Sequence, residues 1–227
     1  MRRASVFFSG FRRKLYGPIT HVKTSHNAVA LTFDDGPHPE NTMALLNVLK
    51  RYGAKATFFV IGQRAQQYPD LIRLVAEEGH AVANHSLTHR AFPTLSSGAR
   101  MQEIRACQEA LHPYGSNLFR PPFGLENMFT HNDARLLGYD VIKWSISVDD
   151  WRDHPSEWLA DRIMDRLVPG SIILLHDNRL ETPAVSQKQT ADALEKVLAA
   201  TNRNFTFCTV PELLKMGKPM SSFRPIW

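Results

Sequence analysis

Two aspartates stand side by side at Asp34-Asp35, directly after the apolar run Val29-Ala30-Leu31-Thr32-Phe33 and directly before Gly36-Pro37. A run of that kind fits a strand covered on both faces. The glycine then frees the backbone and the proline removes a donor, so regular structure ends there. Adjacent carboxylates at the exit of a buried strand repel each other unless a cation or a proton sits between them. Taken alone, the pair also fits a polar surface turn, where Asp-Gly steps are common. The rest of the chain supplies partners for both carboxylates. His85 and His89 are four residues apart, and on a helical turn that spacing puts both rings on one side, able to grip one cation. Two imidazoles and a strand-end carboxylate leave open positions, the arrangement that hydrolytic metals use. Zn²⁺ is the favoured ion, with Co²⁺, Mn²⁺ or Ni²⁺ as alternatives. His21, His26, His112, His131 and His154 read as surface or turn residues, and His38 and His80 as local hydrogen-bonding residues.

The elements that must position these groups follow from hydrophobic periodicity. Strands are expected over 28–33, 56–61, 80–83, 117–119, 140–144, 171–175 and 205–210, with helices over 42–51, 70–79, 97–111, 127–138, 155–167, 187–200 and 211–216. Asp70 is expected to cap the second of those helices. Strands alternating with helices point to a parallel sheet. About seven such units in roughly 200 residues favour a distorted (β/α) barrel over an open sheet. Asp34, Asp35, His85, Arg120 and His176 each follow the C-terminal end of an expected strand. A barrel gathers such positions around one mouth, where barrels of this kind do their chemistry.

With 227 residues the chain suits one domain, which can bury a full core without staples. Cys107 and Cys208 fit no zinc or redox spacing and read as buried thiols. The net charge of +5 is concentrated: Arg2, Arg3, Arg12, Arg13, Lys14 and Lys23 precede Asp34 with no acidic residue among them, and the rest of the chain is close to neutral. The expected organisation is therefore a basic arm over 1–27, a catalytic domain over 28–216 and an irregular tail over 217–227. Such an arm suits peripheral contact with an anionic membrane, a solvated tail being the alternative. Nucleic-acid binding is not expected, because the excess charge is on the arm and not around the mouth. The apolar stretch Val6-Phe7-Phe8 is too short for a secretion signal or a membrane span. The expected location is cytoplasmic, with membrane association through the arm.

Five stretches, taken in order, resemble the motifs of the polysaccharide deacetylase (NodB homology) family. They are Thr32-Phe33-Asp34-Asp35-Gly36-Pro37, Asn84-His85-Ser86-Leu87-Thr88-His89, Arg120-Pro121-Pro122-Phe123-Gly124, Asp150-Trp151 and Leu174-Leu175-His176. The resemblance spans about residues 28–215 and implies a distorted (β/α) barrel that removes acetyl groups from N-acetylated sugars, or from O-acetylated xylan, with a divalent metal. By resemblance, Asp35, His85 and His89 are the metal ligands and Asp34 is the general base, held by Arg120. His176 is the general acid tuned by Asp150. Trp151 and Leu174 wall the pocket for the acetyl methyl, and the Phe123 N–H meets the oxyanion. The fourth motif departs from the family pattern: Ser147 stands where another aspartate is usual, which affects local hydrogen bonding and the substrate rim.

The expected activity is metal-dependent removal of acetyl groups from an N-acetylated glycan: a chito-oligosaccharide, a lipid-linked sugar or another intracellular glycan before intact wall polymer. O-acetyl ester hydrolysis or an allantoinase-type amidase with the same site is the runner-up. A glycan-binding protein without catalysis is a third reading, against which stands the presence of Asp34, Asp35, His85, His89 and His176. The sugar, its linkage and the oligomeric state are open at this level.

Overall fold

The computed structural model describes residues 17–178 and 188–221. Strands β1 (His21–Lys23), β2 (Ala28–Asp34), β3 (Ala56–Val60), β4 (Ala81–Asn84), β5 (Gly115–Phe119), β6 (Asp140–Val141), β7 (Ile146–Ser147), β8 (Ile172–His176), β9 (Thr206–Cys208) and β10 (Lys218–Met220) are described. Among and between them lie helices α1 (Asn41–Arg51), α2 (Gly62–Gln67), α3 (Pro69–Glu77), α4 (Ser97–Leu111), α5 (Met128–Leu136), α6 (Ser156–Met164), α7 (Lys188–Thr201) and α8 (Val210–Lys215). The central sheet runs β6-β5-β4-β3-β2-β8-β7, and every pairing in it is parallel. β9 pairs with the start of β2, below the point where β3 begins. The expected barrel of about seven parallel strands is thus observed, as a curled sheet with α-helices on its outer face. No described helix is long and apolar enough to cross a membrane.

All seven residues of β2 are buried, because the strand is covered on both sides, and its period of two sorts them. Val29, Leu31 and Phe33 point outward into the main core under the helices, with Phe58 of β3 and Ile173 and Leu175 of β8. Ala28 and Ala30 point inward into a second core with Phe59, Leu118 and Ile172. Continuing that inward row upward gives Thr32 and then Asp34. Each fully buried Leu, Ile or Phe contributes about 1.5–3 kcal/mol relative to exposure. The lower barrel is therefore packed largely with hydrocarbon, its few buried polar side chains, such as Thr57 and His80, accept from backbone N–H groups, and the ionisable side chains of the site begin at its C-terminal end.

Three sequence expectations need correction. Residues 17–27 and 217–220 belong to the barrel and not to an arm and a tail. β1 pairs antiparallel with β10, and Ile19 and Val22 are buried in the inner core. Between edge strand β6 and the start of β8, Ile19 N donates to Val141 O, Lys143 N to Ile19 O and Val22 N to Gly170 O. This stretch closes a gap in the wall, and unpaired backbone in that position would be costly. The basic residues from Arg2 to Lys14 lie outside the described residues. The expected strand over 140–144 is observed only as β6, Asp140–Val141, and a separate short strand, β7, follows at Ile146–Ser147 and pairs with a different neighbour. The expected helix from Asp70 begins instead at Pro69 and ends at Glu77, with Asp70 in its first turn and no side-chain cap. A proline at the first helical position is well tolerated because its missing N–H would have no partner there.

Candidate active site

The register of the sheet brings the chemistry together. Asp34 is opposite His176 across β2 and β8, with Thr32 opposite Leu174 one inward step below. β4 ends just before His85 and β5 just before Arg120, so all four strands deliver polar side chains to one mouth. Asp34 is 3% exposed and its Oδ1 accepts from Arg120 Nη1 at 2.6 Å. Arg120 is fully buried. Its guanidinium also donates to Thr32 Oγ1 at 2.8 Å, Ile142 O at 3.2 Å and Lys143 O at 3.0 Å, and lies 4.0 Å from the Phe59 ring centroid. A buried guanidinium is tolerable only when its donors are used in this way.

Asp35 turns away from its neighbour because its backbone adopts φ 77°, a region uncommon for residues other than glycine. Its Oδ1 lies 3.0 Å from His89 Nε2 and 3.3 Å from His85 Nε2. The expected helical turn for the two histidines is absent. Ser86 (φ 68°) and His89 (φ 57°) instead fold the loop back on itself, tied by Ser86 N to Asn84 Oδ1 at 2.9 Å and His89 N to Ser86 Oγ at 3.0 Å. The four-residue spacing works through left-handed turns and not through helical pitch. Positive φ at Asp35, Ser86, His89, Phe123 and Asp149 encircles the mouth, and strain of about 1–3 kcal/mol at such a residue persists only where the surroundings enforce it.

These three side chains fit a divalent cation. One donor atom from each of Asp35, His85 and His89 lies within 4.8 Å of the others. Asp35 Oδ1 is buried and has no hydrogen-bond partner among the described residues. His85 Nδ1 is 2.8 Å from Arg120 O. A carbonyl can only accept, so Nδ1 carries the proton and Nε2 presents its lone pair towards Asp35, the outer support expected behind a metal-binding histidine. Burial alone would raise the Asp35 carboxyl, but His85, His89 and the charge of His176 hold it well below the usual carboxylate range. Burial likewise opposes a charge on His85, and Asp34 and Asp35 outweigh it and raise its pKa. The pocket is a site of negative potential, so protons and cations compete for it.

His176 carries the second function of the mouth. Its Nδ1 is 2.7 Å from Asp150 Oδ1, and its backbone N donates to Asp150 Oδ2 at 2.8 Å. Burial would lower the imidazole, but Asp150, with Asp35 and Asp34 behind it, raises it to about 9. Thr190 of α7 donates to Asp150 Oδ2 at 3.1 Å, a contact that sequence reasoning missed because 40 residues separate the pair. Trp151 meets the His176 ring edge-on at 5.4 Å and is 39% exposed, while Leu174 is buried beneath. Across the mouth, half-exposed Phe123 lies 4.5 Å from the His89 ring. Ser147 sits in β7, where its carbonyl accepts from Arg166 Nη1 at 3.1 Å. Asp177 is a second omission: it is 1% exposed, and burial pushes its carboxyl up to about 7.

A family model described as polysaccharide deacetylase matches residues 21–142. A chitooligosaccharide deacetylase of Azorhizobium caulinodans is 32% identical over 206 residues, covering 86% of this chain and 98% of that protein. The chain belongs to the polysaccharide deacetylase family. The family model's match contains Asp34, Asp35, His85, His89 and Arg120, while Asp150 and His176 lie beyond it. The peptidoglycan-N-acetylmuramic acid deacetylase PdaC of Bacillus subtilis is 33% identical over 201 residues, and the chain spans only 41% of that protein's length. The solved Bc1960 peptidoglycan N-acetylglucosamine deacetylase superposes with a TM-score of 0.81 at 27% identity, over 90% of this chain and 96% of that one. Deacetylases of this family use a divalent metal, and the Asp35, His85 and His89 cluster is the candidate site for it.

Proposed function

We propose that this chain hydrolyses acetyl groups from N-acetylated carbohydrates, with a divalent cation held by Asp35, His85 and His89. The observation that carries this reading is the division between two neighbouring carboxylates. Asp35 faces two imidazoles, whereas Asp34 faces a guanidinium and is opposite His176 in the sheet. When bound, the cation polarises the acetyl carbonyl and lowers the pKa of a coordinated water to about 7. Zn²⁺ suits this donor set, and Co²⁺, Mn²⁺ or Ni²⁺ can replace it. Asp34, oriented by Arg120, accepts the proton of the attacking water. The Phe123 N–H donates to the developing oxyanion, a role worth about 3 kcal/mol where such a donor has been removed. His176, protonated near neutral pH, donates its proton to the departing nitrogen as the C–N bond breaks. Leu174 and Trp151 flank the acetyl methyl, and the exposed ring of Trp151 offers a face for the sugar. The substrate class taken from the relatives is an N-acetylhexosamine glycan, of peptidoglycan or chitooligosaccharide type.

An amine is a poor leaving group and an alkoxide a better one, so the amide reaction depends more on His176. His176→Ala is expected to reduce acetate release from N-acetyl sugars by about 10²–10⁴-fold, and from O-acetyl sugars far less. Equal loss on both would remove His176 from the role of protonating the leaving nitrogen. The charge on His176 also sets a pH limb. Its raised pKa means that protonation, and the stability that comes with it, is complete below about 6.5 and is lost as pH rises through about 9. A cation on Asp35 cancels that carboxylate's share, so the basic limb of kcat in loaded enzyme falls at or below about 9. Asp150→Asn removes the strongest partner that opposes burial at His176. The limb is then expected to move down in pH, because loss of that negative charge disfavours the imidazolium. An unmoved limb would remove Asp150 from this role.

A further inference from the structure

We propose that Asp177 is a positioning residue for the cation site: from the end of β8 it locks the Asp34-Asp35-Gly36 turn in the conformation that aims Asp35 at His85 and His89. The assignment rests on the reading of that trio as a metal site. A carboxylate ligand at φ 77° does not hold itself in place, and the turn has identifiable supports on both sides. On the β3 side, Ile61 N donates to Gly36 O at 3.1 Å. On the β8 side, Asp177 N donates to Asp34 O at 3.2 Å and Asn178 Nδ2 to Asp35 O at 3.3 Å.

The Asp177 side chain supplies what those backbone bonds lack, a fixed floor under the turn. A methyl added at Gly36 would lie 2.0 Å from Asp177 Oδ2, so the carboxyl group occupies the space that any larger residue at 36 would need. Thr42, at the start of α1, holds that carboxyl by donating from Oγ1 to Oδ2 at 2.6 Å. Thr42 Oγ1 in turn accepts from His38 N at 2.8 Å, which ties the far end of the same turn. Asp177, Thr42, His38 and Gly36 thus form a closed ring of contacts around the ligand's backbone. The contacts of Asp177 are with Thr42, Gly36 and the backbone of Asp34, so it acts through the turn that carries Asp35.

The test uses full-length protein loaded with Co²⁺, whose visible spectrum reports ligand geometry, with affinity read by competition against a chelator. Asp177→Ala is expected to weaken cobalt binding by about 10–100-fold, the range for residues that orient metal ligands, to alter the visible bands, and to lower kcat more than it raises KM. Asp177→Asn keeps an acceptor for Thr42 and is expected to restore affinity to within a few-fold of wild type. Thr42→Val and Gly36→Ala disturb the same ring from its two other sides and are expected to change the spectrum in the same direction. Should Asp177→Ala not fold, those two variants carry the test. Wild-type affinity and spectrum in the folded variants would overturn the assignment alone. Wild-type protein that takes up no cobalt would overturn the metal reading, and this assignment with it.

Discussion

Asp34→Asn is expected to lower kcat for acetate release by about 10²–10⁴-fold, the range for loss of a positioned general base, while the fold and the uptake of cation stay intact. The substitution is nearly isosteric. The amide oxygen can still accept from Arg120 Nη1, where the carboxylate now accepts at 2.6 Å. The side chain can no longer take a proton from water, so the loss falls on the chemical step and not on KM. Arg120 keeps Thr32 Oγ1, Ile142 O, Lys143 O and the Phe59 ring, which limits its rearrangement when the carboxylate charge is removed. Kinetics, melting temperature and cation affinity measured on one preparation separate these effects. A variant that retains more than about a tenth of wild-type kcat would remove Asp34 from the base role, since the weakest effect expected of a general base is about a hundredfold.

Arg120→Met is expected to destabilise the protein by about 3–5 kcal/mol, the usual penalty for removing one partner of a buried pair. At this chain length that corresponds to a fall of roughly 6–20 °C in melting temperature, at about 2–4 °C per kcal/mol. Methionine can fill the space over Phe59 but leaves the Asp34 carboxylate buried beside Thr32 without its counter-charge. It also strands the carbonyls of Ile142 and Lys143, each of which accepts from the guanidinium. Arg120→Lys keeps the charge but cannot reach four acceptors from one ammonium, so an intermediate loss is expected. Activity should fall with both, because Asp34 loses its orientation. Thermal melts that match wild type for Arg120→Met would show that the pair is not the structural hinge of this mouth.

The residues at the mouth were legible because their types are rare at strand ends and their spacing follows strand–helix units. Asp35, His85 and His89 lie together, Asp34 meets Arg120, and His176 meets Asp150. The His85–His89 spacing led to the right neighbourhood through the wrong local structure. A four-residue separation reads as helical pitch, whereas positive φ at Ser86 and His89 is enforced by Asn84 and by tertiary packing that no local pattern records. The same limit explains Ile19–Val22. The stretch Ile19-Thr20-His21-Val22 follows a basic segment, has only two apolar residues and carries no hairpin partner nearby, because the partners are Val141, Gly170 and β10, all more than 100 residues away. Asp177 carries no signal of its own in the sequence, and only the fold brings Thr42 and Gly36 against it. Patterns of types and periods read well along the chain, while contacts between distant turns do not.

The central claim is that catalysis needs a cation on Asp35, His85 and His89. The most direct measurement strips the protein with chelator, confirms by elemental analysis that no metal is left, and titrates Zn²⁺ or Co²⁺ back while acetate release from an N-acetylated oligosaccharide is followed. The expected result is no release from the stripped protein, recovery that saturates at one ion per chain, and no recovery in His85→Ala or Asp35→Ala. Full acetate release from protein shown to be metal-free would contradict the account.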